Sequence, residues 1–167
     1  MNRIPTVHVV DDDDAVRSSL RLLLKSVGLP TVTYESARDF LAGYDSDQPG
    51  CLVLDVRMPG MSGPELQEEL NRRGAMIPVI FVTGHGDIPM AVEAMQHGAF
   101  DFLQKPFRDQ DLITRVQKAL ELDGQNRSEL KEASLIRARF DSLPPREREV
   151  FQLVTDGTAN KVMAGDL

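Results

Sequence analysis

Several polar side chains stand directly after short apolar runs of the 167-residue chain. They comprise three carboxylates, one hydroxyl and one ammonium: Asp11, Asp12, Asp55, Thr83 and Lys105. Three carboxylates in one place repel each other unless a cation joins them. Oxygen ligands without His or Cys favour Mg²⁺, with Mn²⁺ as the other candidate. Such a set predicts a site for phosphoryl transfer, in which positioning and charge neutralisation do most of the catalysis.

The chemistry of these side chains suggests a role for each. Lys105 is a point charge suited to a phosphate oxygen, and the Thr83 hydroxyl can donate a hydrogen bond to another. A carboxylate can itself attack phosphorus and form an acyl phosphate. We expect Asp55 to be that nucleophile, because it ends a central strand and should lie in the middle of the pocket. Taken singly, each residue also has an ordinary explanation as a helix cap, a loop acid or a surface charge.

The elements that would position these side chains alternate between strand and helix patterns. Short apolar runs predict five strands, at residues 7–10, 31–34, 51–54, 79–82 and 100–103. Helical patterns lie between the strands and after the last one, as in a parallel sheet covered by helices on both faces. The length favours the flavodoxin-like α/β fold, a doubly wound five-stranded sheet of order 2-1-3-4-5. Ligands of such sheets bind beyond the carboxyl ends of the strands, where the five polar side chains would meet.

Composition and charge exclude several classes of protein. With 19 Lys and Arg against 26 Asp and Glu, the net charge of −7 does not favour nucleic-acid binding without a local basic patch. The single cysteine, Cys51, rules out an intramolecular disulfide and a multi-cysteine metal site. The N-terminus has no secretory signal pattern, and no apolar stretch approaches 18 residues. These features favour a cytoplasmic protein that does not interact with a membrane.

Four motifs together resemble the receiver domain of two-component response regulators. They are Val9-Val10-Asp11-Asp12, Leu54-Asp55-Val-Arg-Met-Pro-Gly-Met-Ser-Gly63, Val82-Thr83-Gly84 and Lys105-Pro106-Phe107. The resemblance covers residues 5–122 and implies a receiver domain at 1–122.

The resemblance also implies partners for the polar side chains. Asp55 would accept a phosphoryl group from a sensor histidine kinase. Mg²⁺ would be bound by Asp12, Asp55 and the backbone carbonyl of Arg57, with Asp11 acting mainly through water. Thr83 and Lys105 would bind the phosphoryl oxygens.

A conformational switch follows from the same resemblance. Phe102 occupies the switch-aromatic position of the family, and the Lys105–Pro106 bond is usually cis. Phosphorylation adds about −1.5 to −2 charges, and Thr83 moving toward them would vacate space that Phe102 could fill. The face of the fourth helix and fifth strand would then change, and in this family it often forms a homodimer. The alternative is that Phe102 is simply a core residue.

The segment after Thr83 resembles the NarL/FixJ-type subgroup more narrowly, in the run Thr83-Gly-His85-Gly-Asp87-Ile-Pro-Met90. His85 is either a group that tunes the lifetime of the acyl phosphate or a solvated loop histidine.

The C-terminal quarter of the chain has a different pattern. Residues 123–142 are polar with few apolar positions and are interpreted as a linker with helical character. Residues 143–167 contain Leu143-Pro-Pro-Arg-Glu-Arg-Glu-Val150 and a later Gly-Thr-Ala-Asn-Lys run, which resemble the start of a LuxR-type helix-turn-helix. The recognition helix of that family would lie beyond Leu167. We therefore expect an incomplete helical segment, with specific DNA binding only in a complete form.

Two other functions remain open on the sequence alone. One is a Mg²⁺-dependent phosphatase or phosphotransferase with an aspartyl nucleophile, which usually needs a second acid near the nucleophile. Arg57, two residues after Asp55, cannot serve as that acid. The other is a stand-alone receiver or scaffold without DNA output. The main hypothesis is a response regulator that catalyses only its own phosphorylation and dephosphorylation and is not a turnover enzyme.

Overall fold

The computed structural model describes residues 3–143, except the side chain of His85. Its strands form a parallel sheet of order β2-β1-β3-β4-β5, which confirms the predicted fold class. The strands are β1 (Thr6–Val10), β2 (Thr31–Tyr34), β3 (Gly50–Asp55), β4 (Val79–Thr83) and β5 (Asp101–Gln104). The last strand begins one residue later than the sequence pattern indicated. The predicted helix-turn-helix segment at 144–167 lies outside the described residues.

Helices connect the strands and cover both faces of the sheet. They are α1 (Asp14–Ser26), α2 (Ala37–Gly43), α3 (Gly63–Arg72), α4 (Ile88–Gln96) and α5 (Asp109–Ser142), with a 3₁₀ turn at His85–Asp87 before α4. Asp13, Ser36 and Ser62 cap the first three helices, each accepting a backbone N–H from the first turn. Side-chain caps of this type satisfy N–H groups that have no partner within the helix.

The chain divides into two compact units at Asn126. The first contains the sheet, α1 to α4 and the first part of α5. In the second, the described residues 127–143 are helical as far as Ser142. No helix within residues 3–143 is long and apolar enough to cross a membrane.

The apolar core of the first unit lies in two layers, one on each face of the sheet. Phe40 of α2, Leu66 of α3 and Ala94 of α4 belong to one layer, together with Phe81 of β4. In the other layer, Leu24 of α1 and Leu112 and Val116 of α5 pack with Val53 of β3 and Ile80 of β4. Because β3 and β4 are covered on both faces, their sequences are continuously apolar rather than alternating.

The strand register brings the predicted polar residues to one edge. Asp55 at the end of β3 pairs with Val82, and Thr83 at the end of β4 pairs with Gln104. Gly63 at the start of α3 lies against the same edge, where an added Cβ would be 2.3 Å from the backbone oxygen of Asp55. The absence of a side chain at this position therefore allows α3 to begin directly beside the end of β3.

Candidate functional site

Three carboxylates converge at the carboxyl edge of the sheet. Asp11 and Asp12 follow β1, Asp55 ends β3, and one oxygen from each lies within 4.8 Å of the others. Asp11 is buried, Asp55 is half-buried and Asp12 is exposed. The cluster thus has a closed side and a side open to solvent, as a site that binds a small charged ligand requires.

Asp11 is held in place by one residue of α1 and by the residue that precedes this helix. Its side chain accepts a hydrogen bond of 2.9 Å from the backbone N–H of Asp13. The guanidinium of Arg17 donates to the backbone oxygen of Asp11 at 2.7 Å. Asp13 uses its own carboxylate to cap α1 and accepts from Ala15 and Val16. The acidic run Asp11–Asp14 therefore contributes both a helix cap and a pocket carboxylate.

Lys105 supplies the positive charge of the site. Its Nζ lies 3.8 Å from Oδ2 of Asp11. The backbone N–H of Lys105 donates to the backbone oxygen of Thr83 at 2.7 Å, which aligns the segment after β5 with the end of β4. The Lys105–Pro106 peptide bond is cis, as the family resemblance implied.

Burial and mutual repulsion disfavour the ionised forms of Asp11 and Asp55. Burial, with Asp11 as the next cause, raises the pKa of Asp55 to about 6, against the opposing effect of Lys105. Burial also raises the pKa of Asp11. The backbone N–H of Arg57 acts in the opposite direction and lowers the pKa of Asp55. A divalent cation would relieve this repulsion, and the all-oxygen donor set fits Mg²⁺.

Thr83 ends β4, and Phe102 lies on the neighbouring strand β5, where it pairs with Phe81. Thr83 is fully buried, and its hydroxyl has no hydrogen-bond partner among the described residues. A buried hydroxyl without a hydrogen-bond partner lowers the stability of the fold. A phosphoryl oxygen within reach of the Thr83 hydroxyl would therefore accept a hydrogen bond from a donor that has no other partner among the described residues. Phe102 is half-buried and packs against the core layer that contains Phe81 and Ala94.

The structure adds contacts that sequence reasoning missed. The exposed guanidinium of Arg57 donates through Nε to the buried carboxylate of Asp87, 30 residues later in the chain. Gly63 makes the close approach to Asp55 described above. No local pattern indicates the ion pair, although Asp87 stands where an aspartate usually caps a helix. His85 lies in the 3₁₀ turn after Thr83, and its side chain is outside the described residues.

Comparisons with known proteins identify the family of this chain. The family model described as "Response regulator receiver domain" matches residues 7–117. The chain is 49% identical over 161 residues to Nodulation protein W of Bradyrhizobium diazoefficiens, covering 96% of this chain and 71% of that protein. It is 51% identical over 162 residues to Transcriptional regulatory protein FixJ of Azorhizobium caulinodans, with coverages of 96% and 76%. The solved structure of Response Regulator StyR is similar, with a TM-score of 0.85, 47% identity, and coverage of 98% of this chain and 82% of that one.

Proposed function

Because the chain belongs to the response regulator receiver domain family, we propose that Asp55 accepts a phosphoryl group from a sensor histidine kinase. Receiver domains of response regulators interact with such kinases. The observation that supports Asp55 is the convergence of three carboxylates within 4.8 Å, with the Lys105 ammonium 3.8 Å from Asp11. One oxygen of Asp55 would attack phosphorus as the bond from phosphorus to the kinase imidazole breaks.

The other side chains of the cluster have supporting roles in this proposal. Asp11, Asp12, Asp55 and the backbone carbonyl of Arg57 would hold Mg²⁺, or Mn²⁺ in its place, directly or through water. When bound, the ion neutralises charge that develops on the transferred oxygens. Lys105 binds one phosphoryl oxygen, and the Thr83 hydroxyl donates to another. For His85, in the 3₁₀ turn after Thr83, tuning of the acyl-phosphate lifetime stays a prediction, with a solvated loop histidine as the alternative.

A conformational output follows from the position of Thr83. Its hydroxyl has no partner among the described residues, so a phosphoryl oxygen at Asp55 would draw it toward the pocket. Phe102, half-buried on the adjacent strand, would turn into the space that Thr83 leaves. The face formed by α4 and β5 would change and form a homodimer.

The family membership favours a regulatory protein over the enzyme alternative. A phosphatase with an aspartyl nucleophile usually needs a second acid beside it, and Arg57 occupies that position with its side chain paired to Asp87. We propose that the chain does not turn over an external phosphorylated substrate. Its catalysis is limited to its own phosphorylation and dephosphorylation.

The downstream output is proposed from the relatives. One is named as a transcriptional regulatory protein, and it aligns with 96% of this chain, which extends the likeness beyond residue 122. We propose a receiver domain at 1–122, a helical linker at 123–142 and a LuxR-type DNA-binding region starting at 143. In a complete form, this arrangement would regulate transcription from the cytoplasm.

Incubation with acetyl phosphate tests the phosphoacceptor proposal without the kinase. Intact-mass spectrometry in the presence of Mg²⁺ should show the addition of one phosphoryl group. The Asp55→Asn variant should remain unmodified, whereas Asp47→Asn, which changes an exposed acid after α2, should behave like the wild type. Removal of divalent cations with EDTA should abolish the modification.

Two results would contradict the proposal. Labelling of Asp55→Asn to the wild-type extent would show that another residue accepts the phosphoryl group. Release of phosphate in large molar excess over protein from a phosphorylated peptide would favour the enzyme alternative.

A further inference from the structure

The aspartate at the start of α4 does not cap its helix. Asp87 occupies the N-cap position, where aspartate side chains usually accept a backbone N–H from the first turn. Its side chain makes no such hydrogen bond and instead accepts from Nε of Arg57, in the loop after β3. Asp87 is buried, so the carboxylate depends on this cation for compensation. The contact therefore joins the first turn of α4 to the loop beside Asp55.

The apolar contacts of α4 come from small or partly buried side chains. Its buried residues are Ala91 and Ala94, and Met90 is partly buried against the core, whereas Val92 and Met95 are exposed. A groove of about 420 Å³ lies between the β3–α3 loop and the first turn of α4, where Met90 lines it. This open space leaves room for the N-terminal end of the helix to move.

The opposite end of α4 is held by hydrogen bonds from α3. The side-chain amide of Gln67, which is buried, donates to the backbone oxygen of Ala94 at 3.1 Å. The side-chain amide of Asn71 donates to the backbone oxygen of His97 at 3.0 Å. These bonds satisfy carbonyl groups at the C-terminal end of the helix and fix that end to a neighbouring element.

We propose that the Arg57–Asp87 ion pair is the positioning contact that sets the N-terminal end of α4 in the unphosphorylated protein. When the pair is released, α4 pivots about the end that Gln67 and Asn71 hold. This contact is separate from the proposed movement of Thr83 and Phe102, because it acts on α4 from the loop after β3 and not from the strands. Its regulatory meaning rests on the proposed phosphorylation of Asp55.

Arg57 connects this contact to the phosphoacceptor. It lies two residues after Asp55, and its backbone N–H lowers the pKa of that carboxyl, while its side chain binds Asp87. A phosphoryl group on Asp55 presents three new acceptor oxygens close to that N–H. The loop must adjust to them, and the adjustment changes the position from which the guanidinium reaches Asp87.

Methyl NMR of the full chain measures the position of α4 directly. Met90 lines the groove at the N-terminal end of α4, and Met76, which lies outside α4, serves as an internal reference. Beryllofluoride, used with Mg²⁺ as a phosphoryl analogue, should shift the Met90 methyl signal of the wild type. We expect Arg57→Gln and Asp87→Asn, without beryllofluoride, to displace that signal along the same line by at least about one fifth. The Met76 signal should not move.

Two further variants separate positioning from a general loss of structure. Arg57→Lys keeps the charge and should displace the Met90 signal less than Arg57→Gln does. Arg73→Gln breaks an ion pair of 2.9 Å with Glu69 on α3 and should leave the signal unchanged. If the amide shifts of β1 and β3 in each variant match those of the wild type, the variant is folded.

The outcomes distinguish this inference from the proposed function. If Met90 keeps its wild-type shift in both Arg57→Gln and Asp87→Asn, the ion pair does not position α4 and the inference is wrong. If the wild type shows no response to beryllofluoride, the phosphoacceptor proposal fails. The positioning role is then decided by the variants alone, since their Met90 shift requires no ligand.

Discussion

Replacing Asp55 with Asn is expected to stabilise the metal-free protein. Burial, and secondarily Asp11, raise the pKa of Asp55 to about 6 from its ordinary value of 3.8. A carboxyl group whose pKa is higher in the folded than in the unfolded state destabilises the fold when it is ionised. This cost is fully present above pH 6 and decreases as the pH falls from 6 toward 3.8. The Asn amide is uncharged and does not have this cost.

The size of the effect follows from the pKa shift and the exposure of the side chain. A shift of about two units corresponds to roughly 3 kcal/mol, at about 1.4 kcal/mol per unit. Because Asp55 is only half-buried, solvent screens a large part of this free energy. We expect Asp55→Asn to raise the free energy of unfolding by about 1–2 kcal/mol at pH 8, and by about half as much at pH 5.

Urea denaturation followed by far-UV circular dichroism measures this difference in a chain without tryptophan. The titrations are made in EDTA at pH 8 and pH 5 on the wild type, Asp55→Asn and the exposed-site control Asp47→Asn. Saturating Mg²⁺ should remove the advantage of Asp55→Asn at pH 8. A ligand that binds only the folded wild type stabilises it by about 2.7 kcal/mol at 100 times its Kd.

The reasoning would be refuted by either of two results. Equal stability of the wild type and Asp55→Asn at pH 8 in EDTA would show that the ionised carboxylate is not destabilising. A gain that is larger at pH 5 than at pH 8 would have the wrong sign for a raised carboxyl pKa.

Three other substitutions test separate parts of the structure. Gly63→Ala should lower the free energy of unfolding by about 1–3 kcal/mol, because the added Cβ would lie 2.3 Å from a backbone oxygen. Gly43→Ala, where the added Cβ meets open space, should not lower it. Urea titration of both variants measures the difference. Burial lowers the pKa of His8, so the wild type should lose stability relative to His8→Phe as the pH falls below 6.5. Equal free energies of unfolding for the two proteins at every pH would contradict this. Thr83→Val should raise the free energy of unfolding by about 1 kcal/mol, because the buried hydroxyl has no partner among the described residues. The same substitution should slow the labelling of the protein by acetyl phosphate. Unchanged labelling would exclude a role for the hydroxyl.

The order and nature of the elements could be predicted from the sequence, because local patterns report how each strand is covered. The run 51–54 is continuously apolar, and β3 is buried on both faces between two core layers. The edge where the strands end followed from the parallel order alone. This is why Asp11, Asp12 and Asp55 could be expected in one place.

Boundaries were less predictable where an apolar residue packs without joining a strand. Phe100 continues the apolar run before β5 and packs in the core, but the strand begins at Asp101. The helix α4 begins at Ile88, three residues before Ala91, its first buried position. Pro89 suits the first turn of a helix, where a missing N–H is not needed.

Contacts between distant segments could not be predicted. The Arg57–Asp87 ion pair joins residues 30 positions apart, and neither spacing nor periodicity relates them. The approach of Gly63 to Asp55 depends on how closely α3 packs against the end of β3. The polar linker residues lack the apolar spacing of an amphipathic helix, so the extent of α5 to Ser142 was only an expectation.

Identification of the modified residue tests the central claim most directly. After incubation with acetyl phosphate and Mg²⁺, borohydride reduces an aspartyl phosphate to homoserine, which peptide mass spectrometry can locate. The structure predicts homoserine at position 55 and at no other aspartate. Homoserine at Asp11 or Asp12, or none at all in a protein that has gained a phosphoryl group, would contradict the assignment of Asp55 as the phosphoacceptor.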